Sequence, residues 1–370
     1  MERTNRLGYI DGLKGIAILA VTIAHAGGCS LPGVFGRMAE DGPRGVQLFL
    51  LISGMLTISS LNRFYADKKL SFRNATDWYL KKYVRLAPLF CIAVIFGLLL
   101  HTYEGNVYTD PDSINVWNVL AHFALIHGFI PHYINSILCI EWYVGVLWIY
   151  TLLSPLIYKA FNGLKRALLL LVAVVGVMAI VRAFQGFPDT EGWSDTDWIV
   201  YSAYQNNMGP LVNVIPFLMG IVMFYIVFTW LEKKIVPSWK TKVLSYVLLI
   251  VGVALLYIQN CGVQPLPLLT RNDTFSLWFC IIIISQAIHS SVLIDNPIFR
   301  FLGKYSYGIY LFQYVVVNFY DDKINYHGPL SWCVKMTFCV VFLLLLSIVF
   351  TTVCDRSTAL IKLKIKKFKN

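Results

Sequence analysis

Residues 336–353, MTFCVVFLLLLSIVFTTV, carry no charged side chain. A helix that is apolar all round must be wrapped completely in protein or placed in lipid. Roughly 18 such residues, at about 1.5 Å each, are enough to mark a candidate membrane span. Comparable runs recur along the chain. Of the 370 residues 57% are hydrophobic and only 14% charged, against about 25% charged in a soluble domain. The chain therefore reads as an all-α polytopic membrane helix bundle. The spans fall near 8–28, 45–61, 84–101, 141–158, 166–184, 209–230, 242–260, 274–294, 305–320 and 332–354. The segment 117–131 is apolar but short, and counting it would give eleven.

Charge decides between ten and eleven. With the N-terminus in the cytoplasm and ten spans, all but six of the 31 Lys and Arg residues fall on the inner side. The six are Arg37, Arg44, Arg182, Arg271, Lys323 and Lys335. Loops 102–116 and 185–208 carry acids (Glu104, Asp110, Asp112; Asp189, Glu191, Asp195, Asp197) and no Lys or Arg. An eleventh span would turn every later loop over and put the basic KLKIKKFK tail outside, against the positive-inside rule. We therefore expect 117–131 to be re-entrant or interfacial, with both termini cytoplasmic. The net charge of +11 then has a topological origin; it can also meet anionic lipid, and a basic cytoplasmic face would suit a polyanionic cytosolic ligand equally well. It calls for no nucleic acid. Arg3 and Arg6 precede a helix without a small-residue cleavage site, so we read that helix as a retained first span. The eight cysteines lie mostly in apolar runs without a CxxC, so no disulfide framework is expected. We expect one domain over 1–370, with 355–370 as a short basic tail.

Against this background three ionisable residues in DGLKGIAILAVTIAHAGG, residues 11–28, are out of place. Lys14 and His25 are eleven apart, so on a helix they lie within about 20° of one another and about 16 Å apart. Asp11 sits one turn before Lys14 and can pair with it. Ionisable groups in a span usually face a bundle interior or a water-filled cavity. The arrangement reads as a polar line through the membrane, although a single helical His is more often a hydrogen-bonded structural group.

Other candidates lie further on. In WYLKKYVRLAPLF, Arg85 follows Lys82 by three, with Pro88 expected in the first turn of span three. Cations at such ends usually snorkel as anchors, but Arg85 is one turn deeper and can hold a phosphate or a thioester carbonyl. Glu141 opens span four beside Trp142 and Tyr143, either as part of an interfacial belt or as a binding group. His122, His127 and His132 are spaced by five, which rotates each about 140° from the last on a helix, and no metal site is expected. Ser53 and Gly54 in GVQLFLLISGM suggest close helix packing.

Five blocks occur in a family order. Arg6-x4-Asp11-Gly-Leu-Lys14-Gly-Ile-Ala with His25, GVQLFLLISGMLT, YLKKYVRLAP, EWYVGVLWIYTLLSPLIY and FLGKYSYGIYLFQ together resemble the acyltransferase-3 family of integral membrane O-acyltransferases. The ten-span topology is also that family's. Four positions depart from its pattern. Lys14 and Lys82 stand where Arg is usual, Leu147 stands where a second Glu is common, and Gln313 stands where the last block often ends in His. Lys keeps the charge but not the planar fork that captures an oxyanion through two bonds.

The resemblance implies acyl transfer, acetyl foremost, from cytosolic acyl-CoA to a hydroxyl of a cell-envelope glycan at the inner (cytoplasmic) membrane. Acyl-CoA is then a donor substrate, with no permanently bound cofactor. His25 is the implied general base, positioned with Lys14 and Asp11. Arg85, Lys82 and Lys14 are implied at the CoA end or the thioester oxygen. Trp142 and Tyr143 can line the acceptor mouth, with Glu141 on a sugar hydroxyl. The chain is also expected to acylate its acceptor directly or through a separate partner. Two rival readings stand beside this one: a proton-coupled transporter, although no inverted repeat is visible, and an inactive family member that scaffolds envelope assembly.

Overall fold

The computed structural model describes residues 8–28, 31, 33–66, 68–69, 71–109, 113–184, 190–264, 266, 268–324, 326 and 330–369, the side chains of 34 and 360–369 excepted. Arg3, Arg6, Asp110, Asp112, Asp189 and the lysine side chains of the tail therefore lie outside the described residues. The described fold is helical: α1 Gly8–His25, α2 Gly33–Glu40, α3 Gly45–Phe64, α4 Phe72–Leu99, α5 Val116–Phe123, α6 Trp142–Ala160 and α7 Leu164–Phe184. There follow α8 Asp195–Ala203, α9 Val214–Lys234, α10 Trp239–Asn260, α11 Arg271–Ile288, α12 Pro297–Lys323 and α13 Ser331–Lys369. Helix α9 passes through a π-helical stretch, Ile226–Leu231.

Ten of these helices have 18 or more residues, at the ten expected positions. Seven, all but α1, α11 and α12, are long and apolar enough to cross a membrane on length and composition alone. The other three carry their polar residues within the helix, so an average over the window dilutes the signal. Segment 117–131 forms only the eight-residue α5 and 3₁₀ turns at His127–Phe129 and Pro131–Tyr133, too short for a span. Helix starts follow capping chemistry. Asn115 accepts from the Trp117 and Asn118 N–H groups, and Ser194, Ser238 and Thr270 each close a capping box.

Several boundaries differ from expectation, two of them widely. Helix α4 begins at Phe72, where Ser71 caps it, so Pro88 is interior and not in the first turn. The amphipathic, charged stretch before residue 84 continues the helix where hydropathy alone would end it. Helix α13 likewise runs on through the expected tail to Lys369.

The chain forms two compact units. Unit 1 holds Met1–Lys68, Leu152–Gly192 and Gln205–Lys304. Its core is built on α1, α3 and α9, with Val21, Leu50, Leu51, Met55, Phe217 and Ile221 fully or almost fully buried. Gly54 and Gly220 let α3 and α9 meet backbone to backbone, since a Cβ at either would strike a carbonyl, that of Phe217 or of Leu51. In contrast α7 and α10 leave most of their apolar residues uncovered, as helices facing lipid do. Unit 2 holds Lys69–Thr151, Trp193–Tyr204 and Tyr305–Asn370. Phe90, Ile137, Leu138, Val144 and Phe312 form its buried centre.

Of the six basic residues that the charge rule expects on the outer side, four are paired. Arg44 and Arg271 both reach Asp41, Arg182 reaches Asp273, and Lys335 reaches Asp321, at 2.6–3.5 Å.

Candidate functional site

Helix α1 is unbroken from Gly8 to His25, so Lys14 and His25 keep the shared face their spacing requires. The Lys14 ammonium donates to Asp11 at 2.8 Å, with the Lys14 side chain 22% exposed and Asp11 47%. His25 at the far end is half-buried. Near Asp11 the backbone of α1 is pressed against the 294–303 segment of unit 1: Gly12 lies against the Ile294 carbonyl, Gly15 against that of Phe299, and Gly303 against that of Asp11 itself. Beside this contact Arg300 forms an ion pair with Asp295, whose other oxygen takes the Ser290 hydroxyl at 2.6 Å. Burial alone would raise the Asp295 carboxyl, but the Arg300 and Ser290 hydrogen bonds outweigh it and hold it below the usual carboxylate range.

In unit 2 the basic block lies along α4. Arg85 is exposed, and the Lys82 ammonium lies 4.3 Å from the centroid of the Trp78 ring. Trp142 is half-buried at the start of α6, and Tyr143 is buried with its ring 5.5 Å from that of Tyr310. Glu141 has no exposed surface at all. Its Oε1 accepts from the Ile137 N–H at 2.6 Å and its Oε2 from the Ile140 N–H at 3.0 Å.

Two histidines are gathered around that carboxylate, and sequence spacing did not find them. The argument from 140° rotations assumes one continuous helix. Helix α5 stops at Phe123, and Leu125 turns back with φ +60°. His127 thereby stacks on His122, ring centroids 4.3 Å apart and 9° from parallel, and Phe90 stacks on His127 at 5.3 Å. Both histidines are fully buried. Their rings lie face to face, so the nitrogens do not converge. Among the described residues no group of three or more His, Cys, Asp or Glu is arranged to hold a metal ion.

Hydrogen-bond partners orient the two rings. His122 Nδ1 lies 2.8 Å from the Asn118 carbonyl, which can only accept, so Nδ1 carries a proton. Its Nε2 then faces Glu141 Oε1 at 3.4 Å. His127 donates through Nε2 to the Glu141 carbonyl at 3.2 Å, leaving a buried Nδ1 without a partner. Burial and the neighbouring His122 keep the His127 imidazole well below its ordinary range, and so neutral. Around the cluster Tyr310 donates to the Ile140 carbonyl, Ser136 bonds Asn118, and Gly128 packs against the backbone of Gly145. The arrangement fixes the start of α6, and with it Trp142 and Tyr143.

The chain matches the acyltransferase domain of the acyltransferase-3 family over residues 7–353. It is 24% identical over 382 residues to Regulator of hypoxia-inducible factor 1 of Caenorhabditis elegans, covering 86% of this chain and 72% of that protein. It is 26% identical over 224 residues to Nose resistant to fluoxetine protein 6 of the same animal, covering 54% and 27%. It is 24% identical over 365 residues to Putative peptidoglycan O-acetyltransferase YrhL of Bacillus subtilis, covering 90% and 52%. The chain thus spans about a quarter and about half the length of the latter two. No solved structure matches it significantly. Helices at the expected places and a family match over nearly the whole chain agree: this protein belongs to the acyltransferase-3 family of membrane acyltransferases.

Proposed function

We propose that this protein transfers an acyl group, acetyl foremost, from cytosolic acyl-CoA to a hydroxyl of a cell-envelope glycan. In this reading it lies in the cytoplasmic membrane with both termini inside. Family membership supports the reaction class, and a relative carries the name of a peptidoglycan O-acetyltransferase. The observation that carries the residue assignment is α1, with its Asp11–Lys14 pair at one end and His25 on the same face at the other.

His25 takes the proton of the acceptor hydroxyl as its oxygen attacks the thioester carbon. The carbon–sulfur bond breaks, and the CoA thiolate leaves and takes up that proton. About 16 Å of helix separates Lys14 from His25, more than a lysine stem can bridge. Lys14, oriented by Asp11, therefore serves the CoA arm and not the oxyanion. Arg85 and Lys82 hold CoA phosphates from α4. Trp142 and Tyr143 serve the acceptor, and Glu141 acts behind them by fixing their backbone.

Detergent-purified protein given labelled acetyl-CoA and envelope glycan tests the proposal. Label should reach the glycan, and His25→Ala should lower transfer by about 10²–10⁴-fold. Proton-linked uptake without consumption of CoA would establish a carrier instead, and CoA left intact with every glycan offered would overturn the enzyme reading.

A further inference from the structure

Away from the residues used above, unit 2 has a cleft of about 340 Å³ lined by Pro131, His132, Trp193, Asp197, Val200 and Tyr201. Ligand pockets start at about 300 Å³. We infer that this cleft is a subsite for a neutral sugar ring of the acceptor glycan, an inference that rests on the acyl-transfer reading for its biological role.

The cleft is a built structure. Asp197, Val200 and Tyr201 recur at helical spacing on one face of α8, and Tyr204, the residue that caps its end, donates to the Gly128 carbonyl at 3.3 Å, tying α8 to the packed segment beneath. Trp193 stands at 70° to Tyr201 with centroids 5.2 Å apart, so each ring braces the other, and the indole remains 36% exposed. Asp197 Oδ2 accepts from both the N–H and the hydroxyl of Ser194, which leaves Oδ1 toward His132 Nε2 at 3.3 Å. The Ser194 bonds, backbone first, hold the Asp197 carboxyl below the usual range. It is an ionised acceptor at neutral pH.

Those parts match a pyranose. One face of such a ring presents C–H groups, which an aromatic face attracts through its negative quadrupole. The rim presents hydroxyls, which donate to a carboxylate and exchange hydrogen bonds with an imidazole. Charge selects among glycans. Glu191, Asp195 and Asp197 lie in or beside the cleft's helix, and residues 190–204 contain no Lys or Arg. Phosphate-bearing or uronic chains would be repelled, and a neutral or N-acetylated ring would not.

The test uses the full chain in detergent, with binding followed by saturation-transfer NMR and calorimetry. The probes are neutral tetrasaccharides of glucose, galactose and N-acetylglucosamine, and an oligogalacturonate of equal length. At least one neutral probe should bind saturably, and the acidic one at least 10-fold more weakly. Trp193→Ala should weaken neutral binding at least 10-fold and Asp197→Asn several-fold. Trp193→Phe should recover most of it, and Trp230→Ala, in the other unit, should leave it unchanged. No saturable neutral binding, tighter acidic binding, or full binding by Trp193→Ala would each overturn the subsite. Acyl transfer is measured separately on the same preparations. Trp193-dependent binding without any transfer would keep the cleft and reject the enzyme reading. Transfer with an unchanged acceptor KM in Trp193→Ala would reject the cleft and keep the enzyme.

Discussion

The polar line of α1 and the buried block around Glu141 both place ionisable groups in an apolar protein, yet they do so by opposite means. Asp11, Lys14 and His25 sit on one uninterrupted helix and remain partly exposed. His122, His127 and Glu141 come from three separate short pieces and have no exposed surface. The first arrangement leaves part of each side chain at the surface. The second uses its groups on one another and on the backbone, as a buried polar network must to be tolerated. In the proposed reading chemistry belongs to the first and rigidity to the second, and the two should separate under mutation.

The sharpest separation is expected at His25. His25→Ala should lower acyl transfer about 10²–10⁴-fold while the thermal unfolding midpoint hardly moves. A large loss of stability would erase the contrast. Glu141→Ala should do the reverse. It strands two buried N–H groups and His122, at a cost of about 3–5 kcal/mol, read as a large drop in the unfolding midpoint, and Glu141→Gln should recover part of it. Gly145→Val should cost about 1–3 kcal/mol, because the new Cβ meets the Gly128 backbone; Gly176→Val, where a Cβ meets nothing within 4 Å, is the control.

Asp11→Asn should cost under about 1 kcal/mol, as a half-exposed ion pair does, but should raise the KM for the acyl donor several-fold with little change in kcat. The smallest effect is on pH. His127 is buried with its folded pKa below the unfolded value. Its contribution is present above about pH 6.5 and is lost as pH falls below that value, where the unfolded chain takes up a proton and the folded one does not. His127→Phe should flatten that part of the pH–stability profile.

Legibility in the sequence follows the same division. Periodicity reports what lies on one helix, so the ten helices and the face shared by Lys14 and His25 could be read directly. It fails where the chain leaves the helix. The histidine stack depends on the turn at Leu125, a buried residue with positive φ, and nothing in the residue types around it announces such a conformation. Pro88 misled in another way: it suggested a first turn, but the capping serine is Ser71, beyond the apolar stretch. The cleft on α8 had one available signal, the Ser194-x-x-Asp197 capping box, which marks a helix start in a loop otherwise notable only for its acids.

The backbone contact between Gly54 and Gly220 also bears on how the chain is made. Its two halves leave the ribosome on the order of 170 residues apart, a gap of about 10–30 s at ordinary rates of synthesis, and the intervening sequence contributes Lys69–Thr151 and Trp193–Tyr204, more than half of unit 2. Throughout that interval the groove of α3 is in the bilayer without its mate. A nascent chain stalled before residue 214 would leave that groove bare, and α3 would lack the neighbour that buries it.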